Sequence, residues 1–147
     1  MSLLQTIATL ADRFLPVGVA DAHCDIPCGI YDPHDAIQAA QTVIRMTELI
    51  GDLQKKGDLD SVEARNSMIR YVTVKEQHAQ AAKDQVLIIW TDYFKPEHLQ
   101  KYPQLHEKVW NACKLASYTK QHVDMGKAQE LKAAMEEIGK IFWETKS

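Results

Sequence analysis

The sequence predicts an all-α fold, an antiparallel four-helix bundle preceded by an N-terminal hook. Apolar residues recur every three or four positions through four long segments. The connections between those segments are short, which places consecutive helices antiparallel. With 147 residues, 46% of them apolar and 25% charged, the chain is expected to form one ordinary globular domain.

The first helix is predicted to run from Pro33 to about Lys56. Asp32 can cap its start, and proline suits the first helical position. Gly57 is expected to end it. The positions expected to be buried include Ile37, Ala40, Ile44 and Ile50.

The second helix is predicted to start at Asp58 or Asp60 and to end near Lys83. Its apolar face is expected to include Val62, Ile69, Val72 and Ala79. The following run, 86–90, is apolar enough for a strand. Because a lone strand has no partner in a helical domain, we interpret it as a buried connector.

Residues 91–103 are predicted to form a long loop, rich in aromatic residues and punctuated by prolines. Loops of this length within a compact domain are often functional. The third helix follows, with expected core residues Leu105, Val109, Ala112 and Ala116. The fourth has Ala128, Leu131, Met135, Ile138 and Phe142, spaced by three and four as in nearly antiparallel helices.

Charge and cysteine content exclude several classes of protein. The net charge is −3, without the basic excess expected for binding nucleic acid or an anionic membrane. No stretch is apolar and long enough to span a bilayer. Three cysteines, an odd number, indicate reduced thiols in the cytoplasm, with Cys113 expected to be a buried apolar residue.

The run 23–33 brings together an imidazole, two thiols and a turn. If the chain were cut after Ala22, His23 would offer a metal both its α-amine and its imidazole. Cys24 would add an amide nitrogen and a thiolate, and Cys28 a second thiolate. Sulfur and strong nitrogen donors of this kind suit a square-planar metal such as nickel or copper.

Residues 1–22 lack the basic start of a secretory signal, and charged residues interrupt their middle. Their apolar residues have helical spacing, and Pro16 and Gly18 then break the pattern. This segment is therefore either an ordinary N-terminal helix with a linker or a removable leader.

The hook, His-Cys-x-x-Pro-Cys-Gly-x-Tyr-Asp-Pro, resembles the nickel-binding hook of the nickel superoxide dismutases. Segments 90–96, 101–103 and 141–146 are similar to later signature segments of that family, in the same order. The resemblance covers about residues 23–147. It favours a propeptide, 1–22, removed by a maturation protease to leave the 23–147 domain, with hook 23–31 and bundle 33–147.

The resemblance implies a nickel-dependent superoxide dismutase that converts superoxide to oxygen and hydrogen peroxide. It implies one nickel ion per subunit and a homohexamer of four-helix bundles. Thiolate and amide donors lower the potential of the trivalent metal, which allows the Ni(III)/Ni(II) cycling that the reaction needs. Since the α-amine of His23 exists only after cleavage, the full chain is expected to be an inactive precursor.

The resemblance also implies roles for individual residues. His23, Cys24 and Cys28 are the metal ligands, with the His23 imidazole as axial ligand. Tyr31 and Tyr93 are the candidate catalytic residues, whose hydroxyl groups would order water or peroxide near the metal. For Tyr93 a plain role as a loop anchor stays open.

Three further residues are expected to support the hook. Asp25 would accept backbone amides, and Pro27, in a cis bond after Ile26 as the family suggests, would tighten the chain. His78 is assigned to the surroundings of the site.

The sequence departs from the family where some members have a glutamate on the first helix and an arginine on the second. Ala39 and His78 occupy those places, and Gln38 or a water is expected to substitute for the carboxylate. Such changes around the ligands alter metal affinity about 10- to 100-fold. The remaining histidines are expected to be solvated: His34, His98, His106 and His122.

Two alternatives remain open. The chain could be a nickel- or copper-binding protein that uses the same hook without turnover. It could also be a helical module in which Cys24 and Cys28 form a redox disulfide. The aromatic loop 91–103 favours the dismutase, because neither alternative needs it.

Overall fold

The computed structural model describes residues 29–57 and 59–146. Its helices are α1 His34–Lys55, α2 Val62–Ile88, a π-helical turn Ile89–Tyr93, α3 Pro96–Lys101, α4 Leu105–Gln121 and α5 Met125–Lys146. Each of α1 and α4 packs against both α2 and α5, so the four long helices form a closed bundle. The predicted all-α four-helix bundle is confirmed. None of the helices in these ranges is long and apolar enough to cross a membrane.

The ends of α1 lie where the sequence places them. The side chain of Asp32 accepts a hydrogen bond from the backbone N–H of His34 at 2.8 Å. The helix ends before Gly57, whose φ of 75° lies in the left-handed region that glycine tolerates best. The end of α1 is therefore as predicted, whereas its N-cap residue is Pro33, one position after the predicted cap Asp32.

The start of α2 is capped differently from the prediction. Ser61 is the cap, and its hydroxyl accepts a hydrogen bond from the backbone N–H of Ala64 at 3.2 Å. Asp60 instead pairs with Arg65 at 2.9 Å, and Asp58 lies outside the described residues. A serine side chain before the first turn satisfies an otherwise unpaired donor as well as an aspartate does.

The predicted apolar face of α2 is wrong at two positions. Val62 is 76% exposed and Ile69 is 66% exposed. The face that packs into the bundle consists of Ala64, Lys75, Ala79, Ala82 and Val86. Small alanine side chains let the helices approach closely, so packing selects a face that is poorer in large apolar residues.

Lys75 is buried in this face, with only 2% of its surface exposed. Its ammonium donates to the backbone carbonyls of Thr119, Lys120 and His122, the last two at 2.9 and 3.1 Å. Desolvation lowers the pKa of Lys75, and the Glu76 carboxylate opposes that shift. The three carbonyl acceptors stabilise the charged form and tie α2 to the end of α4.

The run 86–90 is helical, so the connector predicted there, and the end of the helix at Lys83, are wrong. Val86 and Ile89 are each 1% exposed, whereas Leu87 lies on the exposed side. The backbone N–H of Phe94 donates to the carbonyl of Ile89 at 3.2 Å, which closes the π-helical turn. Residues 91–103 are therefore only partly a loop, since they include the end of that turn and all of α3.

The core positions predicted for the last two long helices are confirmed. The nine positions named for α4 and α5 are between 0% and 3% exposed. At Gly139 the helix α5 passes close to the start of α1. A Cβ atom there would lie 3.2 Å from the side chain of Ile37 and 3.3 Å from Pro33. This close contact fixes the beginning of α1 against α5.

Candidate metal centre

The donor residues of the hook precede the part of the chain that the structure describes. The predicted ligands His23, Cys24 and Cys28 lie outside the described residues, as do Asp25 and Pro27. The description starts at Gly29, which has a φ of 72° and so makes a turn that other residues adopt rarely. The base of the hook can thus be located, and its last residue, Tyr31, is buried in the bundle.

The chain enters the bundle at Tyr31, the third residue after Cys28. Ile30 is 67% exposed, whereas Tyr31 is 5% exposed. The ring of Tyr31 packs in an aromatic cluster that we define as Tyr31, Tyr93, Phe94, His98 and Phe142. This cluster anchors the chain three residues from the second predicted thiolate ligand.

Tyr93 lies at the centre of the aromatic cluster. Its ring centroid is 4.3 Å from that of Phe142 and 5.9 Å from that of Tyr31. Its hydroxyl is 3.0 Å from Oγ1 of Thr145, and the imidazole of His98 stacks on its ring at 5.6 Å. The structure therefore brings the two predicted tyrosines together within one chain and joins Tyr93 to the last turn of α5.

The end of α5 makes two further contacts near the hook. The ammonium of Lys146 donates to the backbone carbonyl of Tyr31 at 3.1 Å. The hydroxyl of Tyr102, in the connection after α3, donates to a carboxylate oxygen of Glu144 at 2.6 Å. In the sequence, Lys146 stands out only as the last residue of the segment 141–146. No role was predicted for it.

The residues in the places of the family's glutamate and arginine lie on α1 and α2. His78 is half-buried, and its Nδ1 is 2.9 Å from the carbonyl of Val74. Since a carbonyl only accepts, Nδ1 is the donor in this contact. Ala39 is buried and Gln38 is exposed. The predicted supporting role of His78 stays a prediction.

Three of the four remaining histidines are exposed as predicted, namely His34, His106 and His122. The prediction for His98 is wrong, because this residue is half-buried between Tyr93 and Phe94. Its Nδ1 accepts the backbone N–H of Lys95 at 3.1 Å at the start of α3. His98 lies on the short helix α3, which places its imidazole against the rings of Tyr93 and Phe94.

The donor set of the hook fits nickel better than any group of side chains in the described part of the chain. Residues 29–57 and 59–146 contain no group of three or more histidine, cysteine or acidic side chains able to hold a metal. Cys113, the one cysteine in those ranges, is half-buried, and burial raises the pKa of its thiol. It therefore stays protonated, as expected for a packing residue and not for a ligand.

The fold and the donor set together define a helical-bundle metalloprotein. The model of the family "Nickel-containing superoxide dismutase" matches residues 18–146. The superoxide dismutase [Ni] of Streptomyces coelicolor is 39% identical over 137 residues, which is 93% of this chain and 98% of the relative. The same protein of Streptomyces seoulensis matches with the same identity and coverage.

Solved structures agree with this assignment. A native nickel superoxide dismutase at 1.30 Å has a TM-score of 0.72 and 39% identity, and the match covers 85% of this chain and 100% of that one. A structure with the nickel ligation of the oxidised state has a TM-score of 0.71 and 40% identity. The chain belongs to the nickel-containing superoxide dismutase family. It is a superoxide dismutase with superoxide as substrate and nickel as cofactor.

Proposed function

We propose that the mature enzyme begins at His23 and binds its nickel ion with His23, Cys24 and Cys28. The family membership and the chemistry of these donors support this ligand set. When bound, nickel supplies the one-electron chemistry that oxidises one superoxide ion and reduces the next. Cleavage after Ala22 frees the α-amine of His23, which must lose its proton to bind a metal.

The single observation that carries the structural part of this proposal is the anchoring of Tyr31. Two superoxide ions and two protons give one oxygen and one hydrogen peroxide, so the site must deliver protons. Tyr31 is held three residues after Cys28 by a buried ring, which keeps this phenol beside the hook. Tyr31 and Tyr93 hold the water that carries the protons, and neither is a ligand.

The domain boundaries follow from the same cleavage. Residues 1–22 form the propeptide and 23–147 the dismutase domain, with hook 23–31 and bundle 33–147. The match to the native solved structure covers all of that chain but only 85% of this one, whereas the match to the Streptomyces coelicolor sequence covers 93% of this chain. The solved chain therefore matches a shorter part of this chain, as expected if an N-terminal segment had been removed from it. The cleavage requires a maturation protease in the cytoplasm, where thiols stay reduced.

The assembled enzyme is a hexamer in which a neighbouring subunit covers each hook. Two large apolar residues beside the aromatic cluster support this proposal, since Ile30 is 67% exposed and Trp143 is 50% exposed. A hook of a few residues is too short to bury a metal alone. The segment 91–103, whose Lys95 and Leu99 are exposed, is the proposed cover.

Intact mass, nickel content and dismutase activity, measured before and after cleavage, test the proposal. The 147-residue chain is expected to bind nickel weakly and to lack activity, whereas the chain that starts at His23 binds one nickel ion and is active. Acetylation of the His23 amine after cleavage provides the control and should abolish activity. Full activity of the uncleaved or acetylated chain would contradict the ligand set.

A further inference from the structure

We propose that Lys146 is a positioning residue for the hook, and that it holds the base of the hook to the end of α5. The inference rests on the proposed function, because it takes the hook as the site of the metal. Lys146 does not touch substrate or metal in this proposal. It acts through the backbone of Tyr31, the residue at which the chain leaves the hook and enters the bundle.

The first argument is the hydrogen bond to the backbone of Tyr31. The carbonyl of Tyr31 lies ahead of α1, in a stretch without regular structure. The ammonium of Lys146 donates to this carbonyl at 3.1 Å, across 115 positions of sequence. A hydrogen bond from a charged donor is stronger than one between neutral groups. The contact thus joins the two ends of the described chain at the hook.

The second argument is that the ammonium itself is held in place. It lies 5.1 Å from the ring centroid of Phe142 and 5.1 Å from that of Trp143. Both distances are within the range of cation–π attraction. Phe142 also belongs to the aromatic cluster that buries the Tyr31 ring, so the side chain and the carbonyl of Tyr31 are fixed by the same turn of α5.

The third argument is that the other fixed points lie downstream. The Asp32 side chain accepts the N–H of His34, and Pro33 contacts α5 at Gly139, so both hold the start of the helix. Lys146 holds the peptide group one residue earlier, nearer to Cys28. Loss of this hydrogen bond would weaken the hold on the Tyr31 peptide group, and the predicted thiolates would then be less well placed for the metal.

Amide hydrogen exchange of the metal-free, full-length chain tests the proposal without any activity measurement. In Lys146→Met, which keeps the aliphatic stem and loses the ammonium, exchange should speed up about fivefold in a peptide covering 31–38, because a charged hydrogen bond is lost. In that peptide the N–H groups of His34 and Ile37 are hydrogen-bonded at the start of α1. Lys146→Arg keeps a charged donor and should restore most of the protection. Unchanged exchange in Lys146→Met would overturn the inference.

Nickel release from the cleaved enzyme into a chelator gives the second measurement. Lys146→Met should release nickel several-fold faster than the wild type, and its KM should change less than its kcat. The matched control is Lys140→Met, on the same helix, whose exposed ammonium lies 4.0 Å from Glu144. A release rate equal to that of the control would refute the positioning role. If the wild-type cleaved enzyme bound no nickel, the proposed function would fail instead.

Discussion

At the scale of single residues, the thiolates and the imidazole of the hook have different expected roles. Cys24→Ser or Cys28→Ser should abolish dismutase activity, because a serine oxygen donates too little electron density to lower the metal potential. His23→Gln should keep nickel through the amine, the amide and the thiolates, but lose most of its turnover. Nickel content and rate, measured on the same cleaved samples, distinguish the two cases.

Cys113 provides the matched control for these substitutions. Its thiol is half-buried on α4, and burial raises its pKa, so it is neither a ligand nor a ready nucleophile. Cys113→Ser should leave nickel content and rate nearly unchanged. A Cys28→Ser enzyme with near-normal rates would show that the assigned sulfur ligands are wrong.

The roles of Tyr31 and Tyr93 can be tested by substitutions that the structure suggests. Tyr31→Phe and Tyr93→Phe should each lower the rate several-fold or less, without loss of nickel. The Tyr93 hydroxyl is 3.0 Å from Oγ1 of Thr145, so Thr145→Val removes this contact and keeps the phenol. If Thr145→Val lowers the rate as much as Tyr93→Phe, Tyr93 acts as a loop anchor and not near the substrate.

How much of the site the sequence could predict depends on how local each signal is. The hook donors and Tyr31 lie within nine consecutive residues, so their pattern is readable in the sequence. Lys146 approaches Tyr31 across 115 positions, and Tyr93 contacts Thr145 across 52 positions. Contacts of that kind depend on tertiary packing, and a single sequence contains no signal for them.

At the scale of the helices, the sequence was most informative where large apolar residues form the core. Leu131, Met135 and Ile138 alternate by four and three, and all three are buried. On α2 the core side is built from three alanines, one lysine and Val86, while Val62 and Ile69 face outward. A prediction based on large apolar residues therefore selects the wrong face of a helix when small residues allow the neighbouring helices to pack closely.

The buried lysine of α2 leads to a prediction about stability. Lys75→Met keeps the volume of the side chain but leaves the carbonyls of Thr119, Lys120 and His122 without their donor. Unpaired buried acceptors cost about 2 kcal/mol, so the free energy of unfolding should fall by about that amount. Urea unfolding followed by circular dichroism measures this change through the midpoint.

The control for Lys75 lies two turns further along the same helix. Lys83 makes one hydrogen bond to α4, with the hydroxyl of Ser117 at 3.2 Å, and it is half-buried. Lys83→Met should therefore lose less than half as much stability. Equal losses in the two variants would show that the triple carbonyl contact has no special role.

At the scale of the whole molecule, the closed bundle brings the two ends of the described residues together, at Tyr31 and Lys146. α5 packs against α1, so the last turn of the chain lies beside the segment that leads from the hook. The same turn binds the connection after α3 through Glu144 and Tyr102. In the proposed function, the bundle is the rigid support that carries the short ligand-bearing segment.

The final prediction concerns assembly. The cleaved, nickel-loaded protein should sediment as a hexamer, because a short hook needs a neighbouring subunit to shield it. A narrow opening would admit superoxide and exclude larger thiol-reactive molecules, which protects Cys24 and Cys28 from progressive oxidation. In the hexamer, a bulky alkylating reagent should therefore modify these thiols much more slowly than in protein dissociated by mild denaturant. Fully active enzyme that sediments as a monomer at assay concentration would refute the shared cover.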